Sequence, residues 1–375
     1  MADLPQGPEP TYDKIVAGYH TFHYANDFEL EWGGRLPGFD IAWESWGEPN
    51  AALDNVVLLH TGLSASSHAH SQPDNPNPGW WEGFIGPGAA IDTNRYWVIC
   101  TNLLGGCYGS TGPSSTNPAT GKPWATDFPI VTVKDMIRAQ MLMLDHLGVR
   151  RLHASIGASL GGMQSLMVAA LEPDRVERVI SISACMRSYP QAIALRFMQR
   201  QAVMNDADWN DGNYYGRSFP HRGMKVARGI GTITYRSGPE WQQRFGRHRE
   251  GGIPRLDADF QVESYLAHQG EKFCLQYDAN SYLYISKAMD LFDLQPEEGN
   301  GGPTIADVQC PSLVIGVTSD ILFPVRQQRE LAESLRKAGS EATYIEIDAP
   351  YGHDTFLIER ETVGDAVMAH LEGGS

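Results

Sequence analysis

Ser159, Asp320 and His353 have the types and the order for nucleophilic acyl chemistry. Ser159 sits in "GASLGG", between an apolar run and a helical pattern, where small flanking residues let a chain turn sharply from strand to helix. A serine hydroxyl is a weak nucleophile near neutral pH. It needs a base to take its proton, and the base needs a carboxylate to fix its tautomer. His353, in "PYGHD", and Asp320, in "VTSD", fit those two roles. Each residue alone has a plainer explanation. Small residues let a helix pack on a sheet, an aspartate before "ILFPVRQQ" caps a helix, and twelve histidines are present. The conjunction favours a triad, because all three types fall in order just past three apolar runs. An oxyanion hole is also required. The N–H of Leu160, next after the nucleophile, is one expected donor, and Leu63 in "HTGLS" is the second.

The elements that must position these groups follow from hydrophobic pattern. "FDIAWESWGEP", "NVVLLHTGLS", "YWVICTNLLGG", "LHASIGAS", "RVISISAC", "PSLVIGVTSD" and "ATYIEIDAPYGHD" predict strands, mostly short apolar runs closed by turn residues. "TVKDMIRAQMLMLDHLGV", "GGMQSLMVAALEP", "PVRQQRELAESLRKAG" and "DAVMAHLE" predict helices between and after them. That alternation predicts an α/β fold, with a mostly parallel central sheet and helices on both faces. In such sheets, ligands bind at the carboxyl edge of the strands, where all three residues fall. Between about 186 and 302 the pattern changes to Arg, Tyr, Trp and Gln with few strand-like runs. "AIALRFMQRQAVM" and "SYLYISKAMDLFDL" predict helices, "NDGNYYGRSFPHRG" a loop and "QPEEGNGGPT" an exit linker. The expected organisation is a core of 1–185 and 303–375, with a helical lid inserted over 186–302.

Composition bounds the function. The 375 residues are 42% hydrophobic and 20% charged, as in globular proteins. A formal net charge of −16 argues against nucleic acid and acidic membranes as partners. No apolar stretch is long enough to span a bilayer, and "MADLPQGPEPTYDK" lacks the features of a secretory signal. The five cysteines, Cys100, Cys107, Cys185, Cys274 and Cys310, form no CxxC pair. They suit a reducing, cytoplasmic setting and indicate neither a metal site nor a disulfide framework. No resident cofactor is expected.

Longer motifs narrow the chemistry. "GWWEGFIGPGAAIDTNRYWVICTNLLGGCYGSTGPSS", "DFPIVTVKDMIRAQ", "GMKVARGIGTITYRSGPEW" and "SDILFPV" resemble the homoserine O-acetyltransferase family of the α/β-hydrolase superfamily. The resemblance runs from about Gly33 to the last helix. It implies the α/β-hydrolase fold, a helical lid and a homodimer formed through that lid. It also implies a ping-pong transfer, in which acyl-CoA, as co-substrate, acylates the serine and an amino-acid hydroxyl accepts the acyl group. By position, Arg228 matches the family residue that holds the acceptor's carboxylate, and Asp354 the one that holds its ammonium. An esterase or thioesterase could use the same triad with water, but water needs neither Arg228 nor Asp354.

The loop "TGLSASSH", with "QVESYL" and "ANSYLYISKAMDLFDL", looks closest to the serine O-succinyltransferase branch. That branch implies L-serine as acceptor, in cysteine biosynthesis. L-homoserine with an acetyl donor is the alternative, since one methylene separates the two acceptors. Succinyl carries a second carboxylate. "DILFP" offers it no cation, whereas Arg196 in "AIALRFMQR" matches an arginine of the serine-succinylating relatives. Arg196 is therefore the expected determinant of acyl-CoA specificity. It could instead face solvent or pair with a lid carboxylate.

Overall fold

The computed structural model describes residues 17–254, 256–257, 259–295 and 301–373. The first sixteen residues and half of the expected exit linker, 296–300, lie outside them. Eight strands form the central sheet: β1 (His20–Tyr24), β2 (Phe39–Trp46), β3 (Val56–His60), β4 (Trp97–Thr101), β5 (Ala154–Ala158), β6 (Val179–Ile182), β7 (Ser312–Val317) and β8 (Ala342–Ile347). Their spatial order is β1-β2-β4-β3-β5-β6-β7-β8. The first two pairings, β1–β2 and β2–β4, are antiparallel, and all the others are parallel.

Strands β3, β4, β5, β6 and β7 are buried along their whole length, which explains why they read as unbroken apolar runs. Alternate side chains feed two cores. Val56, Leu58 and Ile99 pack on one face with α1 (Val133–His146) and α2 (Leu160–Leu171). Val57, Leu59, Val98 and Ile180 pack on the other, under Trp81, Phe84 and a C-terminal helix (Arg360–Leu371). Helix α1 starts at a capping box. The Thr132 hydroxyl accepts from the Asp135 N–H, and the Asp135 carboxylate accepts from the Thr132 N–H.

Between β6 and β7 the described residues form five α-helices: α3 (Pro190–Met204), α4 (His221–Tyr235), α5 (Gly238–Phe245), α6 (Gln261–Cys274) and α7 (Ala279–Asp290). They enclose a third core rich in aromatics, including Trp209, Tyr214, Phe219, Phe273, Tyr277 and Tyr282. Helix α8 (Val325–Lys337) then crosses to β8, and Arg360–Leu371 is α9. Among the described residues, no helix is long and apolar enough to cross a membrane. All five cysteines are free thiols.

Candidate active site

The turn between β5 and α2 forces Ser159 into φ 57°, ψ −123°. That region is disfavoured for any residue with a Cβ and costs on the order of 1–3 kcal/mol. The turn is held from both sides. The Ser159 N–H donates to the Ile182 carbonyl on β6 at 2.9 Å, and the Ser159 carbonyl accepts from the Met163 N–H at 3.1 Å. Gly161 is required here, because a Cβ would lie 2.5 Å from the His60 carbonyl oxygen at the end of β3. The elbow therefore sits directly against the strand that leads into "HTGLS". Leu160 opens α2, where backbone N–H groups lack intrahelical partners and the helix dipole favours negative charge.

Asp320 lies just beyond β7, and its two oxygens divide two tasks. Oδ1 accepts from the N–H groups of Leu322 and Phe323, at 2.8 and 2.9 Å. Oδ2 accepts from His353 Nδ1 at 2.7 Å. The expected helix cap does not form, because α8 starts at Val325 behind Pro324; Asp320 instead closes the turn before that helix while it orients His353. Donation from Nδ1 leaves Nε2 as the atom that takes a proton. The His353 ring is stacked on Phe323 at 5.2 Å and lies 6.0 Å from Tyr235 of α4. Burial alone would lower its pKa. The charge and hydrogen bond of Asp320, with the charge of Asp354, outweigh burial and raise it above 6.5.

The loop carrying Leu63 is fixed at several points. The Leu63 carbonyl accepts from Tyr277 Oη at 2.8 Å, and the Thr61 carbonyl accepts from Gln164 Nε2 of α2 at 2.9 Å. Further along, Glu44 is fully buried and takes His68 Nδ1 at 2.9 Å, while His68 Nε2 meets the Asn77 carbonyl at 2.8 Å. Burial would lower the pKa of His68, but the Glu44 carboxylate and the Asn77 carbonyl at its two ring nitrogens favour the charged form and raise it.

The charged residues from the helices meet this edge. Arg228 lies on α4, with its guanidinium over the rings of Phe273 at 4.7 Å and Tyr235 at 5.6 Å. Its Nε is buried and has no hydrogen-bond partner. Asp354, beside His353, is raised in pKa by burial, and the charges of His353, Arg236 and Arg228 oppose that rise. Arg236 Nη2 lies 3.6 Å from Asp354 Oδ2. Arg196 does not face solvent; it makes the other contact that was open to it, a pair with a carboxylate of the helices between β6 and β7. It is buried, donating from Nε to Asp290 Oδ1 at 2.6 Å and from Nη2 to Ser188 Oγ at 2.8 Å, with Nη1 buried and unpartnered. Among the described residues, no group of three His, Cys, Asp or Glu is placed to hold a metal ion.

Tyr235, Arg236 and the Arg200–Asp290 ion pair were not singled out from sequence. Tyr235 was within reach: it follows Arg228 by seven residues, two turns along the same helix face. Asp290 carried a weaker signal, a carboxylate in the apolar helix "YLYISKAMDLF".

The family model described as alpha/beta hydrolase fold matches residues 55–359. Serine O-succinyltransferase of Emericella nidulans is 51% identical, over 98% of this chain and 84% of that protein. Homoserine O-acetyltransferase of Moorella thermoacetica is 47% identical, over 94% of this chain and 95% of that one. The chain belongs to the α/β-hydrolase family, in its branch of serine and homoserine O-acyltransferases. The crystal structure of esterase E22 superposes with a TM-score of 0.86 at 28% identity, covering 94% of this chain and 99% of that one. The mostly parallel sheet and the family resemblance expected from sequence are both observed. The names of these relatives describe acyl transfer to the oxygen of serine or of homoserine.

Proposed function

We propose that this chain is an L-serine O-succinyltransferase that works by a two-step exchange on Ser159. Ser159 Oγ attacks the thioester carbonyl of succinyl-CoA as His353 Nε2 takes its proton. The Leu160 and Leu63 N–H groups receive the oxyanion. The carbon–sulfur bond breaks, and His353 returns the proton to the coenzyme A thiolate. L-serine then enters with its carboxylate on Arg228 and its ammonium on Asp354. His353 removes the hydroxyl proton, the new ester forms, and Ser159 leaves with that proton. No resident metal or cofactor takes part.

The observation that carries transfer over hydrolysis is Arg228, a cation with a buried, unpartnered Nε among aromatic rings. Water needs no such group, whereas a carboxylate pairs with guanidinium bidentately. Serine and succinyl are favoured because two fungal serine O-succinyltransferases are 51% and 49% identical over 98% of this chain. Buried Arg196, with one free nitrogen, suits a second carboxylate. The homoserine O-acetyltransferase reading rests on the 47% and 48% identical relatives of that name.

The functional unit is a homodimer joined through helices α3 and α4, which act as a lid. Phe197 and Met198 of α3, with Val226 and Ile233 of α4, are exposed apolar residues on that side, and such patches suit a second copy. Five free thiols fit a cytoplasmic location. The deciding experiment is a matrix of kcat/KM for L-serine and L-homoserine against succinyl-CoA and acetyl-CoA. The expected maximum is serine with succinyl-CoA. A maximum at homoserine with acetyl-CoA overturns the substrate assignment. Coenzyme A release that no acceptor accelerates overturns transfer itself.

A further inference from the structure

Helices α3 and α7 bury a charge imbalance that the family chemistry does not require. Asp290, at the end of α7, has a side chain only 4% exposed. Two guanidinium groups share it. Arg196 Nε meets Oδ1 at 2.6 Å, and Arg200 Nη2 meets Oδ2 at 2.6 Å. Arg196 and Arg200 are four residues apart on α3 and so lie on one face. Their remaining contacts are neutral: Arg196 Nη2 donates to Ser188 Oγ and Arg200 Nη1 to Ser286 Oγ, each at 2.8 Å. Two full positive charges therefore face one negative charge. Arg196 Nη1, the nitrogen left over, is buried without a partner.

A buried surplus charge is costly unless something supplies the counter-charge. Its position shows where that counter-charge would come from. The charges of Arg196 and Arg228 both reach the Tyr235 hydroxyl, and those of Arg196, Arg200 and Arg228 all reach Tyr282. Tyr235 packs on His353. Cys185, a buried thiol that burial keeps neutral, lies within reach of Arg196 and also of the Asp320 and Glu330 carboxylates. Helix α3, which carries both arginines, packs on α4, whose Tyr235 lies against His353, so the surplus sits one element away from the acylation site.

We infer that Arg200 is a positioning residue for donor choice: by sharing Asp290 it leaves Arg196 with uncommitted charge for the distal carboxylate of a dicarboxylic acyl group. Without Arg200, Arg196 and Asp290 would close into a neutral pair, and an incoming carboxylate would meet Asp290 unscreened. The inference rests on the succinyl reading above.

The test measures KM and kcat for succinyl-CoA and acetyl-CoA, with serine as acceptor, in wild type, Arg200→Gln, Arg200→Lys and Asp290→Asn. The burst with p-nitrophenyl acetate reports an intact fold and nucleophile independently of either donor. Arg200→Gln should raise KM for succinyl-CoA about tenfold, against a change of about twofold or less for acetyl-CoA. Arg200→Lys, which keeps the charge, should recover most of that loss. Asp290→Asn adds a unit of positive charge and should hold or increase the succinyl preference. A purely structural brace predicts otherwise: Arg200→Gln and Asp290→Asn would damage both donors alike, and that result overturns the inference. Should Arg200→Gln fail to fold, the sign of the Asp290→Asn effect decides. Wild-type preference for acetyl-CoA overturns the donor reading and this inference with it. Wild-type preference for succinyl-CoA that Arg200→Gln leaves unmoved overturns the inference alone.

Discussion

The sheet edge and the helices α3 to α7 meet at one site but are built on different principles. At the edge, backbone geometry does the positioning. Five fully buried strands fix the elbow, Ser159 is held at positive φ, and Asp320 is pinned by two N–H groups. In the helices, side chains position side chains. Tyr214 and Tyr215 hydroxyls donate to buried Asp278, Arg228 lies over Phe273 and Tyr235, and Arg196 and Arg200 share Asp290. The difference assigns bond-making to the edge and choice of substrate to the helices. Substitutions in the two regions should therefore fail in different ways.

The largest expected effect lies at the edge. Ser159→Ala and His353→Ala should each lower kcat by ~10⁴-fold or more while leaving the fold intact. Intact mass after mixing with succinyl-CoA, without acceptor, should show one succinyl adduct in wild type and none in Ser159→Ala. An adduct that survives the substitution would place the nucleophile elsewhere.

The helices should behave otherwise. Arg228→Ala should raise KM for serine on the order of 10²-fold, because a buried carboxylate loses its bidentate partner. The first half-reaction, read as the coenzyme A burst without acceptor, should change by only about threefold or less. A comparable loss in both half-reactions would break the division of labour, since Arg228 would then be supporting the triad itself.

That division also explains what the sequence made legible. Strands buried on both faces must be apolar throughout, so "VVLLH" and "SLVIGV" announced themselves, and the three site residues followed from their ends. The helices announced less. "HRGMKVARGIGTITY" carries three glycines and two threonines, poor helix formers, yet it is α4. Gly223 is there because α4 crosses α3 closely: a Cβ would lie 2.4 Å from the Ala202 carbonyl oxygen. "PHRG", expected at the end of a loop, is where that helix begins. Tertiary packing overrode local propensity. The Arg196–Asp290 pair joins residues 94 apart in sequence, and no local pattern encodes it.

The smallest expected effect lies on the seam between the regions, at Asp354. This carboxylate belongs to the edge but touches Arg236, which follows α4. It is one of the two charges that raise the pKa of His353, the other being Asp320. The groups packed around the imidazole are otherwise uncharged rings, Tyr235, Phe323 and Phe356. His353 must be neutral to act as base, so acylation should fall as pH drops through its raised pKa, and the acid limb should lie above 6.5. Asp354→Asn removes one negative charge that favours the imidazolium. The limb should then move to lower pH. Acylation by p-nitrophenyl acetate measures this without acceptor, so the loss of ammonium binding does not enter. A limb that stays in place would mean that Asp354 acts on the acceptor alone. A limb that moves upward would mean that the substitution perturbs the Asp320–His353 pair, and the seam would then couple the two regions more tightly than a single charge can.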